Sequence, residues 1–156
     1  MGKIKSFLTF RENGEEAVKL YTSLIKNSQI LSIVRSETDG PIARGALLHA
    51  SFVLDGQEFI GMDGGPHFSF SEGFSIFIDC ETQEEIDRLW YALVEGGEEQ
   101  MCGWLKDKYG VSWQIIPSSL GRMMTDPDPE KARRVTEAML QMKKLEIAEL
   151  ENAYSQ

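Results

Sequence analysis

The sequence predicts an α+β fold: two βαβββ units forming a curved mixed sheet, followed by a C-terminal helical tail. Two observations carry this prediction. Glu15, Leu20, Tyr21 and Leu24 recur as Glu84, Leu89, Trp90 and Leu93, each 69 positions further on. Around this repeat the order of elements also recurs, with one strand-like run before each helix and three after it. The duplicated domain is expected over 1–125, with units of about 1–65 and 66–125, and the tail over 126–156.

Each element has a local reason. Phe7-Leu8-Thr9-Phe10 is strand-like, and Asn13-Gly14-Glu15-Glu16 reads as a helix start, with Asn13 able to cap and Glu16 completing a box-like pattern. Ala17, Leu20, Tyr21 and Leu24 follow at helical spacing. Three strands are then expected, at Gln29 to Arg35, Leu47 to Leu54 and Glu58 to Met62, the last two separated by a turn at Asp55-Gly56. Asp39-Gly40-Pro41 is a loop by composition, and Gly64-Gly65-Pro66 links the units. In the second copy Ile76-Phe77-Ile78 is the strand, Thr82-Gln83-Glu84-Glu85 the capping box, and Ile86, Leu89, Trp90 and Leu93 the apolar stripe. Gly96-Gly97 stops that helix. Glu99 to Trp104 reads as a strand, Tyr109-Gly110 as a turn and Val111 to Ile116 as the last strand.

One such unit alone leaves a sheet edge and one sheet face uncovered, so two copies are expected to pair, with helices outside and a concave face for a small molecule. The tail starts at the Asp126-Pro127-Asp128-Pro129 turn and reads as one long helical segment to about Tyr154. Its stripes are Val135, Ala138, Met139, Met142 and Leu145, then Ile147, Leu150 and Tyr154. They fit a helix packed on the domain body or on a partner subunit, and they do not hold a coiled-coil period.

The formal charge of −9 argues against a nucleic-acid partner, whose phosphates are met mainly by Lys and Arg. No apolar run suits a membrane span or a secretory signal, so no membrane partner is expected. Two cysteines, Cys80 and Cys102, make no disulfide framework and point to a cytoplasmic protein.

Three stretches then carry a resemblance: Asp63-Gly64-Gly65-Pro66-His67-Phe68, the run from Cys80 to Asp87, and the run from Cys102 to Pro117. With the duplicated unit, they make the chain similar to the PhnB-like family of the vicinal oxygen chelate superfamily, the glyoxalase/bleomycin-resistance fold. That family often carries the label "3-demethylubiquinone-9 3-methyltransferase". The tail segment from Ala138 to Lys144 fits it too. The resemblance implies a homodimer and no established reaction. Methyl transfer is not expected, because the chain has no G-x-G-x-x-G turn and no alternating β-α-β-α order to hold a methyl donor.

Active members of the superfamily are expected to hold a divalent metal with His, Glu or Gln from the first and last strands of each unit. Mapped residue by residue, the last strand offers Gln114 and the first strand of the second unit offers Gly73 and Ser75. The first unit offers Ser6 or Thr9, and Gly61 with Asp63 on the same face by period two. The two histidines, His49 and His67, fall off these positions. We therefore expect no metal ligand set and no cofactor. The candidate ligand-binding residues are Gln114, Trp104, Asp63, Ser75 and His49. Strand parity puts Ser112, Gln114 and Ile116 on one face, with Trp113 and Ile115 on the other. The expected function is a small-molecule-binding domain with a degenerate metal site. The alternative is a metal-dependent lyase, isomerase or dioxygenase using His49, Asp63 and Gln114.

Overall fold

The structure, a computed structural model, describes residues 2–156. The chain divides after Phe70 into two compact units, each built around one four-stranded mixed sheet. The expected α+β duplication is present, and its strands form one four-stranded mixed sheet in each unit.

The first unit runs β1 (Ser6–Phe10), α1 (Gly14–Leu24), β2 (Gln29–Arg35), β3 (Leu47–Leu54) and β4 (Gln57–Asp63). Its strand order is β1-β4-β3-β2, with β1 parallel to β4 and the other neighbours antiparallel. Register puts Leu8, Gly61 and Ala50 in one row on the face that α1 covers, with Phe10, Phe52 and Phe59 buried beside them. Ala17, Val18 and Tyr21 bury there, whereas Leu20 and Leu24 of the expected stripe are only half-buried, so the buried face is turned toward Val18.

The start of α1 departs from expectation. Asn13 sits at φ 61°, and its side chain makes no capping bond. Gly14 N donates instead to Asp63 Oδ1 at 2.8 Å, so a carboxylate from β4 caps the helix across the sheet. Gly14 is required at this spot, since a Cβ would lie 2.7 Å from that oxygen.

The second unit runs β5 (Ser75–Cys80), α2 (Gln83–Val94), β6 (Glu98–Glu99), β7 (Trp104–Lys106) and β8 (Ser112–Pro117), in the order β5-β8-β7-β6. Here the cap follows the sequence, as Thr82 Oγ1 accepts from Glu85 N at 3.2 Å. Ile86, Leu89, Trp90 and Leu93 bury against Trp113, Ile115 and Leu105. The strand expected from Glu99 to Trp104 is two short strands instead. Between them Cys102 and Gly103 both take left-handed backbone angles, φ 61° and 84°, which no extended strand allows.

The tail also differs from the single long helix. After α3 (Leu120–Met124) come α4 (Pro129–Leu140) and α5 (Ile147–Ser155), separated by a bent, non-helical stretch. The break is made by tertiary contacts. Leu145 is fully buried with Ile116, Leu120, Met123, Val135 and Leu150 in a small apolar core. Gln83 donates to Leu145 O at 3.1 Å and accepts from Ile147 N at 2.7 Å, capping α5. Burial of Leu145 outweighs the helix propensity of Met142-Lys143-Lys144, because a fully buried leucine gains about 1.5–3 kcal/mol. The tail thus packs on its own unit.

Candidate functional site

The open face of the second sheet gathers three of the five residues that the sequence singled out. One row across the strands is Phe77, Gln114 and Trp104. The next row is Ser75, Ser112 and Lys106, and on the other side come Asp79 and Ile116. All of these share the parity opposite to Trp113, Ile115 and Leu105, whose side chains α2 covers. Phe77 is 53% exposed, while Gln114 and Trp104 are half-buried. An aromatic pair therefore flanks one amide.

The polar groups are set at short range. Gln114 Nε2 donates to Ser75 Oγ at 2.9 Å, which leaves the amide oxygen to accept and the serine hydroxyl to donate. Ser112, between Ser75 and Lys106 in register, is 1% exposed, and its Oγ has no hydrogen-bond partner. A buried hydroxyl without a partner costs about 1–3 kcal/mol, so such groups are rare without a reason. Lys106 Nζ pairs with Glu72, and that hydrogen-bonded contact holds the Glu72 carboxyl below and the Lys106 amine above their ordinary ranges. The face thus offers a fixed cation with its counterion, two neutral hydrogen-bonding groups and two aromatic rings, with the Ser112 hydroxyl buried between Ser75 and Lys106.

Loop chemistry supports the rows from behind. Asp107, 3% exposed, accepts from Tyr109 N at 2.9 Å, Val111 N at 3.0 Å and Trp113 Nε1 at 2.9 Å. This carboxylate forms the tight turn from β7 to β8 and fixes the register that aligns Lys106 with Ser112.

The other two candidates belong to the first unit, on opposite faces of its sheet. His49 lies exposed on the face away from α1, in register with Val34. Asp63 lies on the helix-covered face, 8% exposed, with Oδ1 held by Gly14 N and Oδ2 by Leu47 N at 2.9 Å. Period two does put Asp63 and Gly61 on one face, but that face is the core. The alternative ligand set fails for the same reason, since His49 and Asp63 point to opposite sides. His67 is exposed in the linking loop. Among the described residues no three of His, Cys, Asp or Glu gather closely enough to hold a metal ion. Ser75 and Gln114, a hydroxyl and a neutral amide, are a poor donor set for a divalent ion, and no metal-based step is assigned to them.

The cysteines stay apart. Cys80 is buried at the end of β5, and burial, reinforced by a hydrogen bond with Glu85, pushes its thiol up to about 12. Cys102 is partly exposed in the bend before Trp104. Sequence reasoning puts Ser112 on the right face but gives it no role, because a lone serine in a strand forms no motif. Its signal is the polar interruption between Val111 and Trp113.

The family described as "3-demethylubiquinone-9 3-methyltransferase" matches residues 2–116. A Bacillus cereus protein described as a putative 3-demethylubiquinone-9 3-methyltransferase, PhnB protein, is 41% identical, with 74% of this chain and 99% of that one covered, at a TM-score of 0.70. A Pseudomonas aeruginosa protein is 24% identical, covering 72% and 95%, at a TM-score of 0.60. A glyoxylase/bleomycin resistance protein/dioxygenase domain from Frankia is 19% identical, covering 72% and 94%, at a TM-score of 0.44. No curated protein matches. The family match ends at residue 116, so the tail segment that sequence analysis fitted to the family lies outside it. No helix among the described residues is long and apolar enough to cross a membrane.

Proposed function

We propose, for a chain that belongs to the PhnB-like, 3-demethylubiquinone-9 3-methyltransferase-labelled family of the vicinal oxygen chelate superfamily, that its task is to bind a small organic molecule on the open face of the second sheet. The observation that carries this reading is the Gln114–Ser75 pair set between the rings of Phe77 and Trp104, with the buried Ser112 hydroxyl left unpartnered next to it. A group left unsatisfied in the free protein is satisfied when a ligand brings the missing partner. The neighbouring rings of Phe77 and Trp104 favour a ligand with a flat, conjugated part, and the polar row favours a hydroxyl or carbonyl next to it.

Methyl transfer is not part of the proposal, despite the family's label. The parallel pairs here are single, β1 with β4 and β5 with β8, and Gly64-Gly65 is followed by Pro66 in a turn and not by a helix. The doubly wound sheet and glycine-rich turn that commonly hold a methyl donor have no counterpart among the described residues. The homodimer that the resemblance implies is retained, since Phe7 and Val34 stand about half exposed on the open side of the first sheet. A light-scattering mass of twice the 17.6 kDa chain is expected.

The test is a thermal-shift screen with hydroxylated and keto-aromatic compounds on the wild type, Ser112→Ala and Gln114→Ala. A hit at a hundred times its dissociation constant adds about 2.7 kcal/mol to stability. The expected result is a hit that both variants weaken at least tenfold. Hits that bind the variants unchanged, or no hit at all, refute the site.

A further inference from the structure

Trp104 follows directly on the bend that departs most from sequence expectation. In that bend Cys102 N donates to Met142 O and Gly103 N donates to Lys143 O, both at 2.8 Å. Both acceptors lie in the bent, non-helical stretch between α4 and α5. Two consecutive left-handed residues, one of them a cysteine, make a conformation that costs about 1–3 kcal/mol at a non-glycine position and persists only when surroundings enforce it. The tail provides that enforcement. At Gly103 a Cβ would lie 3.0 Å from Leu145 Cδ1 and 2.8 Å from Ile116 Cδ1, so the tail and the last strand meet at this bend.

Ile116 has the same parity as Gln114, and it is buried in the core that the tail brings with it. The stretch is tied down on its far side by Gln83, and by Lys144, whose amine pairs with Asp87 and Glu146 and lies 5.0 Å from the centre of the Tyr91 ring. None of the tail lies within the matched residues 2–116.

We infer that the 142–145 stretch is a positioning strap for the ligand face: it holds the 101–103 bend, and through it Trp104, while Leu145 closes the Ile116 end. This inference rests on the proposed ligand face, and it assigns to the tail the part of setting which flat ligands fit there.

The test uses the full chain with Gln83→Ala and Lys144→Met combined, which cuts both anchors and keeps the Thr82 cap and the apolar stem of Lys144. Two readouts are followed. Hydrogen exchange reports the Cys102 and Gly103 amides. Acrylamide quenching reports Trp104, each background being corrected by its own Trp104→Phe version, because Trp90 and Trp113 are buried. The expected result is about tenfold faster exchange at both amides, together with a clear rise in the quenching of Trp104. Faster exchange with unchanged quenching overturns the coupling to Trp104, and unchanged exchange overturns the strap. If the double variant does not fold, Lys144→Met alone is read in the same way. Failure of the ligand reading is seen separately, in the wild-type compound screen, and leaves these two readouts as they are.

Discussion

Replacing Asp63 with alanine separates a structural carboxylate from a ligand-binding one. The side chain is 8% exposed and accepts from Gly14 N at 2.8 Å and Leu47 N at 2.9 Å, joining the start of α1 to the start of β3. A hydrogen bond to a charged group contributes about 1.5–3 kcal/mol, and truncation leaves both amides buried. Allowing for water that enters the vacated space, the pair is worth about 3–4 kcal/mol. That is a large share of the 5–15 kcal/mol or so that holds an ordinary domain. Asparagine keeps one acceptor but turns an NH2 toward the second amide, so about 2 kcal/mol is expected for Asp63→Asn. The assay is urea unfolding, with hydrogen exchange at Gly14 and Leu47 as the local readout. A loss below about 1 kcal/mol in the alanine variant, with both amides still protected, refutes the reasoning. Loss of compound binding at unchanged stability returns Asp63 to the ligand site where the sequence first put it.

Three further outcomes follow from the same structure. Glu15 is held at about 2, below its ordinary 4.5, first by hydrogen bonding to Arg35 and then to Lys19. A depressed carboxyl stabilises the fold above its unfolded value and loses that contribution as pH falls from about 4.5 toward 2. Both cations are more than half exposed, so Glu15→Gln should flatten the acid limb of a stability–pH curve by no more than about 1 kcal/mol. Leu145→Ala empties the centre of the tail core and should cost about 2–5 kcal/mol in urea unfolding, with protease cleavage appearing between α4 and α5. Iodoacetamide at mild alkaline pH should label Cys102 and spare Cys80, and mass spectrometry showing Cys80 labelled first contradicts the burial described for it.

Where local chemistry decided the structure, the sequence was a sufficient guide. Thr82 caps from its own position, the apolar stripe of α2 buries as spaced, and β2 and β3 end where turn residues begin. The misreadings share a cause, in that each was settled by a partner far along the chain. Asn13 yields its capping role to Asp63, whose carboxylate lies 49 residues from Gly14. The long tail helix breaks because Gln83 and the bend at Cys102 reach segments about 40 to 64 residues distant. Parity told which candidates share a face but not which face the helix would cover, so Gln114 and Ser75 came out in the open and Asp63 inside. Ser112 was illegible as a site residue because its significance is a missing partner, a property that exists only in the folded chain.

The different caps of the two helices have a consequence for how the duplicated halves fold. Thr82 lies next to the turn it caps, so α2 carries its own start signal and can flicker into being before any sheet exists. The start of α1 has to wait, because its cap arrives only when β4 has been threaded beside β1 in parallel, a non-local pairing that closes slowly. The two halves are therefore expected to order differently, α2 ahead of its sheet and the start of α1 together with its sheet, which pulsed hydrogen exchange at the Glu85 and Gly14 amides would show.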